Sequence, residues 1–201
     1  MVKCFYSAIK ERRSFYDITP ESRVSDERIE EVIGDAVLHS PSAFNSQSAR
    51  VVLLLGEHHK KLWEITMEEL RRVVPAERFQ STKEKIDSFS NGYGSVLFFD
   101  DETIVKGLQE KFPIYKANFP IWAEQANGML QYLIWTSLVI EGFGASLQHY
   151  NPLIDNVVKK QWDISESWKL TAQMPFGVPA GPPGEKTYLP MEERLMVYKK
   201  S

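Results

Sequence analysis

Residues 40–55 read SPSAFNSQSARVVLLL, a polar stretch from Ser40 to Gln47 that runs into RVVLLL, Arg50 to Leu55. The second part has little hydrophobic alternation, which predicts a strand buried on both faces. A polar loop directly ahead of such a strand is a common place for ligand contacts. Asn45 and Gln47 each offer a donor and an acceptor, which suits reading a heterocyclic edge such as a flavin or a base. Local turn and cap hydrogen bonds account for the same residues equally well.

Outward from this stretch, helical and strand patterns alternate. Phe5 to Arg13 predicts a short helix. Ser25 is a good N-cap ahead of Asp26 and Glu27, and Ile29, Val32, Ile33, Ala36 and Val37 form one helical face that Pro41 ends. Downstream, His58 to Val74 is amphipathic, and Pro75 opens a more polar helix reaching about Phe89. Val96 to Phe99 predicts a second strand, Thr103 to Phe112 a short helix, and Lys111 to Pro120 an aromatic-rich loop. The longest helix is expected from about Ile121 to Glu141. It is nearly apolar all round from Met129 onward, as burial or a subunit interface requires. Ala145 to His149 reads as a third strand, Pro152 to Trp162 as a helix capped by Asn151, and Trp168 to Met174 as a fourth strand. A Pro/Gly-rich tail, FGVPAGPPGEKTYLP, follows. Short strands between longer helices indicate α/β or α+β architecture. With no linker and no internal repeat, residues 1–201 are expected to form a single domain.

Composition narrows the function classes. Among 201 residues, 24 Lys and Arg stand against 27 Asp and Glu, a formal charge of −3 with no basic arm, so a nucleic-acid partner is disfavoured. Cys4 is the only cysteine, so thiolate metal sites and internal disulfides are excluded. The start, MVKCFYSAIKERRS, is charged too early for a secretory signal. The longest mostly apolar stretch, Met129 to Phe143, is broken by Gln131, Thr136, Ser137, Glu141 and Gly142, short of the roughly 20 residues of a membrane span. A soluble, cytoplasmic protein with no membrane association is expected.

Several catalytic patterns fail. Gly142-Phe143-Gly144 lacks a third glycine and follows a helix where a dinucleotide fingerprint needs a strand, so Gly142 reads as a helix C-cap. There is no phosphate-binding Walker sequence, no Gly-x-Ser-x-Gly elbow and no His-Glu-x-x-His pair. His39, His58, His59 and His149 read as surface or packed histidines, and no metal site is expected. Arg12-Arg13-Ser14 is more suggestive. Two guanidiniums and a hydroxyl just past a helix suit a phosphate clamp, although a solvated helix end uses the same charges.

Four segments in order carry a family resemblance: Arg12-Arg13-Ser14, SPSAFNSQ from Ser40 to Gln47, EGFGASLQHYNP from Glu141 to Pro152, and FGVPAGPP…EKTYLP near the end. Together they cover nearly the whole chain, which resembles the nitroreductase superfamily of flavin mononucleotide (FMN) enzymes. In particular it resembles the compact subgroup that includes the fungal nitroreductase-like proteins linked to fatty-acid-dependent regulation and their bacterial counterparts. The resemblance implies an α+β fold with a central, mostly antiparallel sheet flanked by helices and a C-terminal extension wrapping a partner subunit. It also implies a homodimer with two flavin sites at the interface. NADH or NADPH would reduce FMN, which would then reduce a nitroaromatic, a quinone or a related small aromatic acceptor in ping-pong order.

Carried onto this sequence, Arg12 and Ser14 match residues directed at the flavin phosphate, with Arg13 in the same turn. Asn45 matches an asparagine beside the isoalloxazine, Ser42, Ala43 and Phe44 line its loop, and Gln47 supports or contacts it. Leu147, Gln148 and His149 match a segment whose backbone passes the reactive part of the ring. Lys186 matches a basic residue reaching the phosphate. No side chain is nominated as catalytic, because the chemistry is centred on the flavin. Three positions depart from the pattern. Tyr16 and Tyr188 stand where relatives often have basic residues, and Gln47 is followed by Ser48-Ala49 in place of a Pro-aromatic pair. Those departures leave room for a flavin-binding regulatory or storage protein with little turnover, or for a non-catalytic interaction protein keeping the fold.

Overall fold

Strand β3 (Gly94–Asp101) is buried along its whole length, and the molecule is organised around it. In this computed structural model, which describes residues 4–199, β3 pairs antiparallel with β2 (Ala49–Leu55) on one side and with β5 (Trp168–Pro179) on the other. β5 also pairs antiparallel with the two-residue strands β1 (Ile18–Thr19) and β4 (Gly144–Ala145). The sheet order is β1-β5-β3-β2, so β2 is an edge.

The run Val96-Leu97-Phe98-Phe99 lacks polar alternation because helices cover both faces of the sheet. Val96 and Phe98 face one core with Ile29, Ile33 and Ala36 of α2 (Asp26–His39) and Leu130, Ile134 and Leu138 of α6 (Asn118–Ile140). Leu97 and Phe99 face a second core. It holds Leu62 and Trp63 of α3 (Gly56–Val73), Ile86 and Phe89 of α4 (Phe79–Ser90), and Val158 of α7 (Asp155–Gln161). The remaining helices are α1 (Phe5–Glu11) and α5 (Glu102–Lys111). This is the expected α+β class.

A chain of hydrogen bonds links polar groups inside the second core. His59 Nε2 lies 3.2 Å from the Ser90 carbonyl, so that nitrogen carries the proton, and Nδ1 accepts from Ser95 Oγ at 2.9 Å. Ser95 Oγ in turn accepts from Trp63 Nε1 at 3.0 Å.

Several sequence expectations are corrected. β2 is only partly buried in the single chain, with Leu54 alone fully covered, because an edge strand has no neighbour on one side. The expected third strand over residues 145–149 shrinks to Gly144–Ala145 plus an isolated bridge between Gln148 and Gln173. Asn151 does not cap α7, whose N-cap is Ile154. β5 continues past Met174 to Pro179, and the expected helix over residues 5–13 ends at Glu11. β1, too short to show a period, was not anticipated. Gly142 does end α6: it holds φ +92°, its N–H donates to the Val139 carbonyl and that of Phe143 to Leu138.

Candidate functional site

The first group of candidate residues forms where α1 stops. Arg12 caps the helix with non-helical backbone, its N–H still bonded to the Ala8 carbonyl, so Arg13 and Ser14 continue as open chain. Ser14 bridges in parallel to Ala145, and Phe15 N–H donates to the Ala145 carbonyl at 3.0 Å. The Arg12 guanidinium lies 4.4 Å over the Trp135 ring and makes no hydrogen bond or ion pair among the described residues. Arg13 Nη2 donates to the Gly184 carbonyl, which brings the tail alongside. Two residues on, exposed Lys186 sits 4.9 Å over the Tyr188 ring. Tyr16 is half exposed, its ring 6.3 Å from Phe89.

From Ala145 the chain leads into Leu147, Gln148 and His149. The Gln148 backbone exchanges two hydrogen bonds with Gln173, at 2.7 and 2.9 Å, and its side chain donates to Ser146 Oγ at 3.0 Å. Tyr150 N–H donates to Gln173 Oε1 at 2.7 Å. Leu147 packs against the first core, whereas His149 is exposed. The Ser14–Ala145 bridge thus brings residues 12–14 to the start of the segment leading to residues 147–149, far away in sequence.

The second group is the loop before β2. Phe44, Asn45 and Gln47 hold φ of 57°, 51° and 50°, left-handed values that cost non-glycine residues on the order of 1 kcal/mol each. The loop is pinned from within and without. Ser42 Oγ accepts from Gln47 N–H at 2.9 Å, Ser46 N–H donates to the Ala43 carbonyl at 3.1 Å, and Arg50 Nη1 donates to the Gln47 carbonyl at 2.7 Å. Phe44 packs among Phe112, Tyr115, Phe119 and Trp122, with ring centroids 5.0 to 5.9 Å away. Asn45 is exposed, and its side-chain amide has no partner among the described residues. Ser42, Gln47 and Arg50 line one end of a groove of about 450 Å³ between α2, β2 and α6. Behind the loop, Ser48 Oγ donates to buried Asp100, whose pKa burial pushes up against the opposing bonds from Asn127 and Ser48.

These two groups do not meet in one chain. Arg12 contacts α6 at Trp135 and Phe44 contacts it at Trp122, 13 positions and about 20 Å of helix axis apart. The sheet gives a similar separation: Ser14 sits opposite Ala145, which pairs with Phe176, whereas Ala49 lies across Asp100 from Lys169. Seven residues along β5 and four strand gaps correspond to roughly 30 Å.

The side chains suit an anionic flavin. Arg12 has its N–H donors unspent for a phosphate, and Asn45 has donor and acceptor free for a heterocycle. Reasoning from the sequence overlooked the partners that hold these groups: Trp135 beneath Arg12, Arg50 bracing Gln47, and the aromatic rings around Phe44. The aromatic-rich segment Lys111 to Pro120 was the available signal for the last of these.

Comparison with known proteins places this geometry among its relatives. The nitroreductase family model matches residues 9–178. The Saccharomyces cerevisiae protein HBN1 is 36% identical over 190 residues, 94% of this chain and 94% of its own length. The nitroreductase FRM2 of the same yeast is 33% identical over 187 residues, covering 92% and 93%. Nitroreductase CinD of Lactococcus lactis, solved with chloramphenicol, is 42% identical and superposes with a TM-score of 0.88 over 98% of this chain and all of its own. The same enzyme has been solved with nicotinic acid and with 4-nitrophenol, at TM-scores of 0.90 and 0.87.

Proposed function

The chain belongs to the nitroreductase family, and from that premise we propose that it is an FMN-dependent oxidoreductase drawing electrons from NADH or NADPH. It passes them in ping-pong order to a small aromatic acceptor, a nitroaromatic or a quinone. Residues 1–201 act as one nitroreductase-like unit in the cytoplasm, as a homodimer whose C-terminal extension wraps the partner. Among the described residues no helix is long and apolar enough to cross a membrane.

The observation that carries this reading is Arg12: a guanidinium held by its face, donors unspent, beside Ser14 at the head of the segment leading to Leu147, Gln148 and His149. Arg12, Ser14 and Lys186 hold the flavin phosphate, with Arg13 fixing the tail beside them. Ser42, Ala43, Phe44, Asn45 and Gln47 present the ring-facing loop, and Tyr16 stands at the ring edge. The flavin, when bound, supplies hydride and electron transfer. The chain's own residues bind it, orient it and limit water at its face. The complexes of CinD with 4-nitrophenol and chloramphenicol, both nitroaromatics, support that acceptor class here.

The test is the visible spectrum and turnover of the purified protein. Denaturation should release a yellow cofactor bearing one phosphate, and oxidation of NADH or NADPH should accelerate when a nitroaromatic or quinone is added. A colourless protein that takes up no FMN at micromolar concentration overturns the reading. A second reading, a flavin-binding protein with little turnover, draws on Tyr16 and Tyr188, which supply no positive charge near the cofactor. Flavin binding without nicotinamide oxidation would favour it.

A further inference from the structure

Trp135 occupies an unexpected position for a tryptophan. Its indole Nε1 is buried and has no acceptor among the described residues. A buried donor left unpaired is destabilising, a cost that a phenylalanine or leucine at this position on α6 would avoid. The ring is therefore not explained by its N–H. Its face, however, has a partner: the Arg12 guanidinium lies 4.4 Å from the ring centroid. Of the aromatic side chains, indole attracts cations most strongly through its face. A guanidinium held with its carbon over a ring face keeps its N–H groups available to an anion, and Arg12 spends none of them on the described residues. A free arginine at a helix end would otherwise sample many rotamers, and ordering it on binding would cost affinity.

We propose that Trp135 is a positioning residue for the cofactor phosphate: its indole face holds the Arg12 guanidinium in place, with the N–H donors preset for the anion. The inference rests on the flavin reading above and adds the residue that preorganises the phosphate clamp.

Dissociation constants for FMN and for riboflavin, which lacks the phosphate, would be measured by flavin fluorescence on the full chain. The proteins compared are the parent, Trp135→Leu, Trp135→Phe, Arg12→Ala and the Arg12→Ala/Trp135→Leu double variant. Trp135→Leu should weaken FMN binding about three- to tenfold and leave riboflavin unchanged. Trp135→Phe, which keeps a weaker aromatic face, should fall between it and the parent. Arg12→Ala should weaken FMN binding about 10- to 150-fold, and adding Trp135→Leu to it should do nothing further. Equal losses for FMN and riboflavin, or an undiminished effect of Trp135→Leu in the Arg12→Ala background, would reduce Trp135 to a packing residue and overturn the proposal. If Trp135→Leu does not fold, an unchanged FMN affinity in Trp135→Phe also overturns it, while a phosphate-specific loss supports it. A parent protein that binds neither flavin refutes the functional reading and this inference together. A parent that binds FMN with no loss in the Trp135 variants refutes the inference alone.

Discussion

His59 shows how a single buried side chain ties stability to pH. Burial pulls its pKa down to about 4, against the partly opposing pull of the Ser90 carbonyl, and the Lys60 charge lowers it further. In the folded chain Nδ1 accepts from Ser95, which already accepts from Trp63. A second proton would leave two donors facing one hydroxyl. The unfolded imidazole titrates near 6.5, so between about pH 4 and 6.5 the unfolded state binds more protons and stability rises with pH. The benefit is complete above about pH 6.5 and is lost as pH falls through 4, a change on the order of 3 kcal/mol. Urea unfolding at pH 7 and pH 4.5 should show a larger drop for the parent than for His59→Gln, and identical drops would reject the assignment. Tyr16 raises a different question, of charge toward the cofactor. On the flavin reading proposed above, its phenol stands at the ring edge, where a cation would stabilise reduced flavin. Tyr16→Lys should raise the two-electron flavin potential by some tens of millivolts, at about 30 mV per 1.4 kcal/mol. A dye-linked redox titration giving an unchanged or lower potential would remove Tyr16 from the ring edge.

At the level of elements, Asp101 joins three parts of the fold that frame the loop at residues 42–47. It caps α5 by accepting from Thr103 N–H at 3.1 Å and from Thr103 Oγ1 at 2.6 Å. It also accepts from Ser167 Oγ ahead of β5 and pairs with Arg50 of β2, both at 3.1 Å. Partial burial pushes its pKa up, but the bonds from Thr103 and Ser167 and the Arg50 charge outweigh it, and the net shift is downward. Asp101→Ala should cost about 2 kcal/mol of stability, read as a lower urea midpoint, and should loosen the Gln47 loop through Arg50. An unchanged midpoint would mean that the cap and the pair contribute nothing net. The asymmetry between this element and the loop shows what the sequence could reveal. Ser25 capping α2, Gly142 ending α6 and the RVVLLL strand were legible because each is a local rule. The edge position of β2 and the two-residue strands β1 and β4 depend on long-range pairing that no local period encodes. Likewise, the polar character of residues 40–47 pointed to a ligand loop, yet its three left-handed residues are non-glycine and gave no turn signal. They are held by Ser42, Arg50 and a set of aromatic rings from α6 and the segment before it.

For the whole molecule, the separation of the two residue groups becomes a prediction about assembly. One chain places Arg12 at the Trp135 end of α6 and Asn45 near the Trp122 end, roughly 20–30 Å apart by helix and strand geometry. That is farther than one FMN reaches between its phosphate and the ring edge read by an asparagine. Along the same helix Ile121, Met129 and Tyr132 are exposed, and Gly128 presents open backbone beside them. These positions recur at helical spacing and, with Gln125 between them, form a mostly apolar face suited to a second copy. In the proposed homodimer, a two-fold axis across α6 would set its Trp135 end against the Trp122 end of the partner, and Arg12 of one subunit and Asn45 of the other would serve one flavin. Two defective proteins should then complement. Arg12→Ala and Asn45→Ala homodimers each carry one defect in both sites. In a mixed dimer, one site combines the intact Arg12 with the intact Asn45, and the other carries both defects. Random exchange of subunits should therefore restore tight FMN binding in roughly a quarter of all sites, two per dimer. Sedimentation at low micromolar concentration should give twice the chain mass throughout. If the mixture binds FMN no more tightly than either parent variant after subunits have demonstrably exchanged, each site is built within one chain and the assembly across the two-fold axis is wrong.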